Sequence, residues 1–240
     1  MMINKLSEFL KRKIKGKFFS SEVYIDFLRS KGATVGKDTY FYAPEEIKVD
    51  ETSLEWLSIG ENVQITSEVE ILLHDYSYSV LGNKFNILPE IKKRTIIGSN
   101  VFIGHRAIIL PGTRIGDDTI IGAGSVVSGN IDSNSVYAGN PAKKIRTIFE
   151  HKNLLEKKFP FSAYEFSMIF KREHGRMPTE FEMGIYRPLF SKYTGKNHKF
   201  VPKKFVAVNK EVFEKGFMIR ETYSSVIELS EKLARSQDKK

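Results

Sequence analysis

Residues 97–127 read IGSNVFIGHRAIILPGTRIGDDTIIGAGSVV, and aliphatic side chains recur there every six positions, at Ile97, Ile103, Ile109, Ile115, Ile121 and Val127. Gly98, Gly104, Gly116 and Gly122 directly follow four of them, and Val101, Ala107, Thr113, Thr119 and Ser125 fill the fifth place of each hexad. A period of six is neither the 3.6 of a helix nor the 2 of a simple strand. It marks an internal repeat, in which each unit buries its face only by stacking on a neighbour. Small residues let the backbone turn tightly between short strands, while the aliphatics form an inner column. The expected fold is all-β at its core: a parallel β-helix.

The same phase extends upstream. It begins weakly at Val35-Gly36, continues through Phe41 and Ile47, and becomes clear at Ile59-Gly60, Ile65 and Ile71. From Ile71 to Ile97 is 26 residues, which six does not divide, so the chain must leave the coil and rejoin it. The excursion covers about residues 74–94, and a long loop in a regular solenoid usually lies on a functional face.

Three segments follow from the pattern: 1–34 with helices, 35–150 with the repeats, and 151–240 as a mainly helical extension. Leu6, Phe9, Leu10 and Ile14 share one face of a basic helix over residues 3–16. Its expected place is against the protein or a neighbouring subunit, with weak contact to an anionic membrane surface as the alternative. A second helix is expected from Ser21, with Val23, Tyr24, Phe27 and Leu28 on its apolar side and Gly32 as its stop. The extension holds ten of the eighteen phenylalanines. Three capping boxes predict helix starts there, at Ser162/Glu165, Thr179/Glu182 and Ser225/Glu228, with Gly175 and Gly195 as stops and a short strand at 205–209.

The chain has 240 residues and a net charge of +9, unevenly spread. The repeat segment carries eleven basic and fifteen acidic groups, whereas both flanks are basic, +5 before it and +8 after it. Cysteine is absent, which excludes disulfides, thiolate metal sites and a cysteine nucleophile. No apolar run of about 18 residues is present and the N-terminus lacks a secretory signal, so a cytoplasmic location is expected, with peripheral contact to the inner membrane face as the alternative. The aromatics fall at helical spacing rather than as a stacking platform, so no nucleic-acid partner is expected.

The runs WLSIGENVQI (56–65), ILLHDYS (71–77), VFIGHRAIILPGTRIGDDTIIGAGSVV (101–127) and YAGNPAKKI (137–145) resemble the hexapeptide-repeat acyltransferases over about residues 30–150. Within that family the likeness is to the O-acetyltransferases of maltose, galactosides and capsular or lipopolysaccharide sugars. The resemblance implies a left-handed, three-sided prism, an exception to the usual right-handed crossover. It also implies acetyl-CoA as donor, no metal, and a homotrimer with the cofactor in the groove between subunits. The expected acceptor is a hydroxyl on a surface-polysaccharide sugar, with a lipid- or nucleotide-linked sugar as one form. An amino sugar or another small amine is the alternative.

In such enzymes a histidine at the start of the excursion is the general base, and here that position is His74. Acetyl transfer from a thioester to a hydroxyl requires removal of the hydroxyl proton as the oxygen attacks, which an imidazole titrating near neutrality can do. The competing role is a structural histidine bonded at a coil corner. Asp75 is a candidate to orient the ring, bind a sugar hydroxyl or only cap the loop, and Glu90 is a candidate for the same work. Trp56 is the aromatic candidate to stack on a sugar, with filling the prism end as its competing role. By position the resemblance puts Ala123 and Ser128 at cofactor-contacting places. Lys143 and Arg146, with Lys144 beside them, match places facing the nucleotide phosphates. His105 stands where family members often carry a small polar residue beside the pantetheine arm, so it is a departure that contacts cofactor or acceptor, or only solvent. The γ-type carbonic anhydrases share the prism but need three converging histidines. The repeat segment has only His74 and His105, so a metal enzyme is not expected. A non-catalytic scaffold is the remaining alternative.

Overall fold

The computed structural model describes residues 14–89, 92–190 and 223–237. It divides into two compact units, Met1–Phe149 and Glu150–Lys240.

Unit one is a parallel β-helix with three walls. The first wall stacks Thr34–Val35, Leu57–Ile59, Thr95–Ile97, Arg114–Ile115 and Asn130–Ile131. The second stacks Tyr40–Phe41, Gln64–Ile65, Phe102–Ile103, Ile120–Ile121 and Ser135–Ala138, then adds Lys143–Thr147 antiparallel at its edge. The third stacks Lys48–Val49, Glu70–Ile71, Ile108–Ile109 and Val126–Val127. Ile97 pairs with Ile115, Ile103 with Ile121 and Ile109 with Val127, each a step of eighteen residues, so three hexads close one coil. The hexad therefore becomes one strand and one corner.

The inner columns hold Ile59, Ile65, Ile71, Ile97, Ile103, Ile109 and Ile121, all at most 1% exposed. Ile103 lies between Ile65 and Ile121 and is fully buried. Ile103→Ala therefore lowers the stability of unit one by about 2–5 kcal/mol, read by chemical denaturation, because neighbouring coils cannot collapse into the gap. The fifth-place residues turn inward at the corners. Thr113 Oγ1 donates to the Leu110 carbonyl (2.6 Å), Thr119 Oγ1 to the Asp132 carbonyl (3.0 Å) and Ser125 Oγ to the Gly122 carbonyl (2.6 Å), so these buried hydroxyls satisfy corner carbonyls. Gly104 is glycine because coils approach closely: a Cβ there would lie 2.6 Å from the Ala123 backbone nitrogen.

The register locates departures from the six-residue step, among them the two that follow. Ile71 pairs with Ile109, twenty residues beyond one coil, which is the expected excursion. In the first coil the inward residue of the third wall is Val49, paired with Ile71, not Ile47. A short 3₁₀ turn, Pro44–Glu46, adds two residues there and corrects the hexad phase read from the sequence; Ile47 is still buried.

Helix α1, Ser21–Ser30, packs on the first coil. Ser20 caps it, accepting from the Val23 N–H (3.3 Å), and Ser21 Oγ accepts from the Phe41 N–H (2.9 Å). Its buried side is Ser21, Tyr24, Ile25 and Leu28, so Ile25 rather than Val23 completes the apolar face. Gly32, at φ +102, ends it as expected. Tyr24 meets Phe41 edge-on at 5.1 Å, and these side chains share one core with the prism columns. Most of the helix expected over residues 3–16 lies outside the described residues. The excursion contains α2, Tyr78–Phe85, which buries no residue.

Unit two contains α3, Ile148–His174, most of which lies within it, and α4, Val226–Gln237. Its core joins Ala163, Met183, Leu189, Phe190, Tyr223, Val226, Leu229 and Leu233. The box at Thr179/Glu182 forms reciprocally, with the Thr179 N–H on Glu182 Oε2 (2.9 Å) and the Glu182 N–H on Thr179 Oγ1 (3.3 Å), though it caps a turn. Ser225 caps α4, while Glu228 turns to the N–H and hydroxyl of Ser224. Ser162 starts no helix. It sits inside α3, two residues after the internal Pro160, and its hydroxyl bonds the Tyr186 hydroxyl at 2.8 Å. Gly175, at φ +70, follows the end of α3. Gly195 and the strand expected at 205–209 lie outside the described residues.

The Arg176 guanidinium and then the Thr179 N–H and hydroxyl hold the Glu182 carboxyl down at about 2. A depressed carboxyl contributes stability that is present above its unfolded value, about 4.3, and is lost as pH falls toward 2. The expected thermal-melt result is that Glu182→Gln is less stable than the parent at pH 7, and that the difference closes on acidification below pH 4.

Candidate active site

The corner between the third and first walls brings His74 together with Asp50 and Thr52. The third-wall strand Glu70–Ile71 ends just before Leu73, whose side chain is buried, and His74 follows at the foot of the excursion. One coil earlier, Lys48–Val49 delivers Asp50 to the same corner because Val49 is in register with Ile71. His74 Nδ1 lies against Asp50 Oδ2 in a short hydrogen bond.

The Asp50 side chain is only 4% exposed, yet every partner it needs is present. Oδ1 accepts from the Thr52 hydroxyl (2.6 Å) and the Thr52 N–H (3.0 Å), and Oδ2 accepts from the Leu73 N–H (3.1 Å) as well as from His74. Burial alone would raise this carboxyl, but the bonds from Thr52, His74 and Leu73 together hold it below the ordinary carboxylate range. An ionised Asp50 keeps the proton on Nδ1 and leaves the lone pair on Nε2. Thr52 Oγ1 stands 3.2 Å from Nδ1 and braces the same side of the ring, which keeps 29% of its surface open. A fixed imidazole with a basic outer nitrogen can accept a proton from a hydroxyl presented at the corner.

Asp75 does not contact the ring nitrogen. Its carboxylate accepts from the Ser77 N–H (2.8 Å) and hydroxyl (3.0 Å), and these bonds hold it below the ordinary carboxylate range. Of the roles open to Asp75, the geometry shows the loop cap: it caps the turn into α2, while Asp50, 24 residues before the histidine, bonds the His74 ring. Glu90 lies outside the described residues. Trp56 is half-buried at the end of the 3₁₀ turn Leu54–Trp56, further along the corner that Asp50 and Thr52 begin.

The other candidates stand elsewhere on the prism. His105 lies at the corner between the second and third walls, where its Nδ1 donates to the Ser67 carbonyl (3.0 Å) and its Nε2 faces Glu68 at 3.6 Å. Both ring nitrogens are thus engaged, unlike the arrangement at His74. Ala123 is exposed on that same corner one coil on, since the Gly124 N–H donates to the His105 carbonyl (2.7 Å). The third wall separates this corner from His74. Ser128 is exposed on the His74 side of the wall, two coils later. Lys143, Lys144 and Arg146 lie on the antiparallel edge strand Lys143–Thr147. Lys143 and Lys144 are exposed, and Lys144 pairs with Asp132 at 2.8 Å. Among the described residues, no group of three histidine, aspartate or glutamate side chains is arranged to hold a metal ion. No described helix is long and apolar enough to cross a membrane.

Asp50 and Thr52 were not singled out by sequence reading. The available signal was D-x-T directly after Val49, but it reads as a loop unless Val49 is recognised as the inward residue.

Comparison with known proteins identifies the family of the repeat segment. The family model for bacterial transferase hexapeptide (six repeats) matches residues 94–129. CapG of Staphylococcus aureus is 38% identical over 125 residues, covering 51% of this chain and 70% of its own length. WbbJ of Escherichia coli (strain K12), provisionally named a lipopolysaccharide biosynthesis O-acetyl transferase, is 33% identical over 133 residues, 51% of this chain and 67% of its own. The galactoside O-acetyltransferase of Escherichia coli (strain K12) is 36% identical over 116 residues, 45% of this chain and about half (51%) of its own. With the hexad prism, the corner histidine and these relatives together, the chain belongs to the hexapeptide-repeat transferases of left-handed β-helix fold and is an acetyltransferase.

Proposed function

We propose that this acetyltransferase moves an acetyl group from acetyl-CoA to a sugar hydroxyl, in the cytoplasm and in the building of a surface polysaccharide. The observation that carries the reading is His74 held by buried Asp50 through Nδ1, with Nε2 left basic. Nε2 takes the acceptor hydroxyl proton while the oxygen attacks the thioester carbonyl. The tetrahedral intermediate then expels the thiolate, which recovers that proton from the imidazolium. Backbone N–H groups steady the oxyanion. Direct transfer suits a chain without cysteine. The names of WbbJ and of the galactoside enzyme support a sugar hydroxyl as acceptor.

The donor lies in a groove between subunits of a homotrimer. His105 and Ala123 stand across the third wall from His74, so a partner's copy of that corner supplies the donor contacts. Lys143 and Arg146 meet the phosphates, and Lys144 joins them after releasing Asp132. The exposed edge strand that carries the lysines fits an anionic donor.

The test is the product formed with matched hydroxyl and amino sugars. An ester, cleaved by alkaline hydroxylamine, is expected. An amide on the amino sugar alone, resistant to hydroxylamine, would replace hydroxyl transfer with N-acetylation.

A further inference from the structure

Beside the base stands an aromatic pair that the mechanism above does not use. The Tyr76 ring lies 4.3 Å from the His74 ring, centroid to centroid, tilted by 54°, and Tyr78 meets Tyr76 at 6.0 Å in an edge-on arrangement. Tyr76 is 60% exposed although it sits between two rings. A large aromatic surface left open beside a base is a ready apolar contact for a ligand.

The local chain holds the ring there. Asp75 accepts from both the N–H and the hydroxyl of Ser77, and the Tyr76 carbonyl accepts from the Ser79 N–H (3.0 Å). These bonds fix the backbone from His74 into α2, so Tyr76 is presented by a closed turn. The turn is built from Asp75, which makes that residue a positioning group for the aromatic rather than for the base.

We propose that Tyr76, backed by Tyr78, is the platform for the acceptor, stacking on the apolar C–H face of a pyranose whose hydroxyl is delivered to His74 Nε2. The inference rests on the reading of sugar acetylation given above and names the residue that selects for a sugar ring. Such a ring offers a flat apolar face to the tyrosine while its hydroxyls remain free for the base. A small aliphatic alcohol has the hydroxyl without the face, so it gains nothing from the platform.

The test is steady-state kinetics of the full-length chain with a panel of pyranosides, each compared in Tyr76→Ala and Tyr76→Phe. The expected result is an acceptor KM raised about tenfold in Tyr76→Ala, with kcat, the acetyl-CoA KM and the melting temperature little changed. Tyr76→Phe, which keeps the ring, stays within about twofold of the parent, as loss of one exposed hydroxyl predicts. A fall in kcat with the acceptor KM unchanged would mean that Tyr76 only positions His74, and a raised acetyl-CoA KM would make it a donor contact; either overturns the platform. Efficient acetylation of alcohols lacking a sugar ring would also overturn it while leaving hydroxyl transfer intact. Should the parent acetylate no member of the panel, saturation-transfer NMR on the same pyranosides decides separately. Saturation of the C–H protons in the parent, lost in Tyr76→Ala, supports the platform even though the reaction assigned above fails; its absence in the parent removes both.

Discussion

His74→Ala is expected to lower acetyl transfer by about 10²–10⁴, or roughly 3–5 kcal/mol of barrier, which is the usual contribution of a positioned general base. The loss should appear in kcat, because the proton moves only as the acceptor oxygen attacks. Acetyl-CoA binding, measured by calorimetry, should be close to that of the parent. The side chain is partly exposed, and its corner is built by the wall strands and by Leu73, so the fold does not depend on the imidazole. An unchanged kcat with a true acceptor would remove His74 from the chemistry.

Asp50→Asn is expected to have the second largest effect, close to that of losing the base. The amide keeps the size of the carboxylate but offers an N–H to Nδ1. The ring then carries its proton on Nε2, where it can no longer accept one. The substitution also removes the negative charge that stabilises the imidazolium formed during transfer. A loss in kcat of about 10²–10⁴ follows, with little change in either KM. Asp50→Glu keeps the charge but shifts the carboxylate, so it should recover part of the rate. Because Thr52 and Leu73 also bond Asp50, some loss of stability accompanies the Asn variant. A melting curve separates that from the kinetic effect. Asp75→Asn leaves the His74 partner in place, so it should spare kcat and act through the turn that presents Tyr76.

Most of the prism was legible in the sequence because the hexad maps one to one onto strand and corner. Ile97, Ile103 and Ile109 each begin an eighteen-residue step, and the 26-residue gap after Ile71 marked the excursion. Legibility ended where the period was broken by turns that no hexad encodes. The Pro44–Glu46 turn shifts the inward residue from Ile47 to Val49, and that shift hid Asp50 from view. Asp75, adjacent to His74 in the chain, was open to orienting the ring, binding a sugar hydroxyl or capping the loop, and the sequence did not choose among these. Adjacent residues at a corner point apart, whereas residues one coil apart in register share a corner, and coil stacking therefore decides the pairing. In unit two, Ser162 and Glu165 formed a capping box on paper, but the Tyr186 hydroxyl supplies the serine's partner and the helix runs through. The box at Thr179 and Glu182 was reliable because its bonds are local. The three-residue contact at Thr179 and Glu182 was readable, whereas the twenty-four-residue contact of Asp50 with His74 required the structure.

Thiol release from acetyl-CoA, followed with a disulfide reagent and a pyranoside acceptor, tests the central claim most directly, and the absence of cysteine means that the protein adds no background. The predicted result is release that depends on the acceptor, matches acetylated sugar one for one, and is lost in His74→Ala. Equal release with and without acceptor, or full release in His74→Ala, would contradict sugar acetylation through this base.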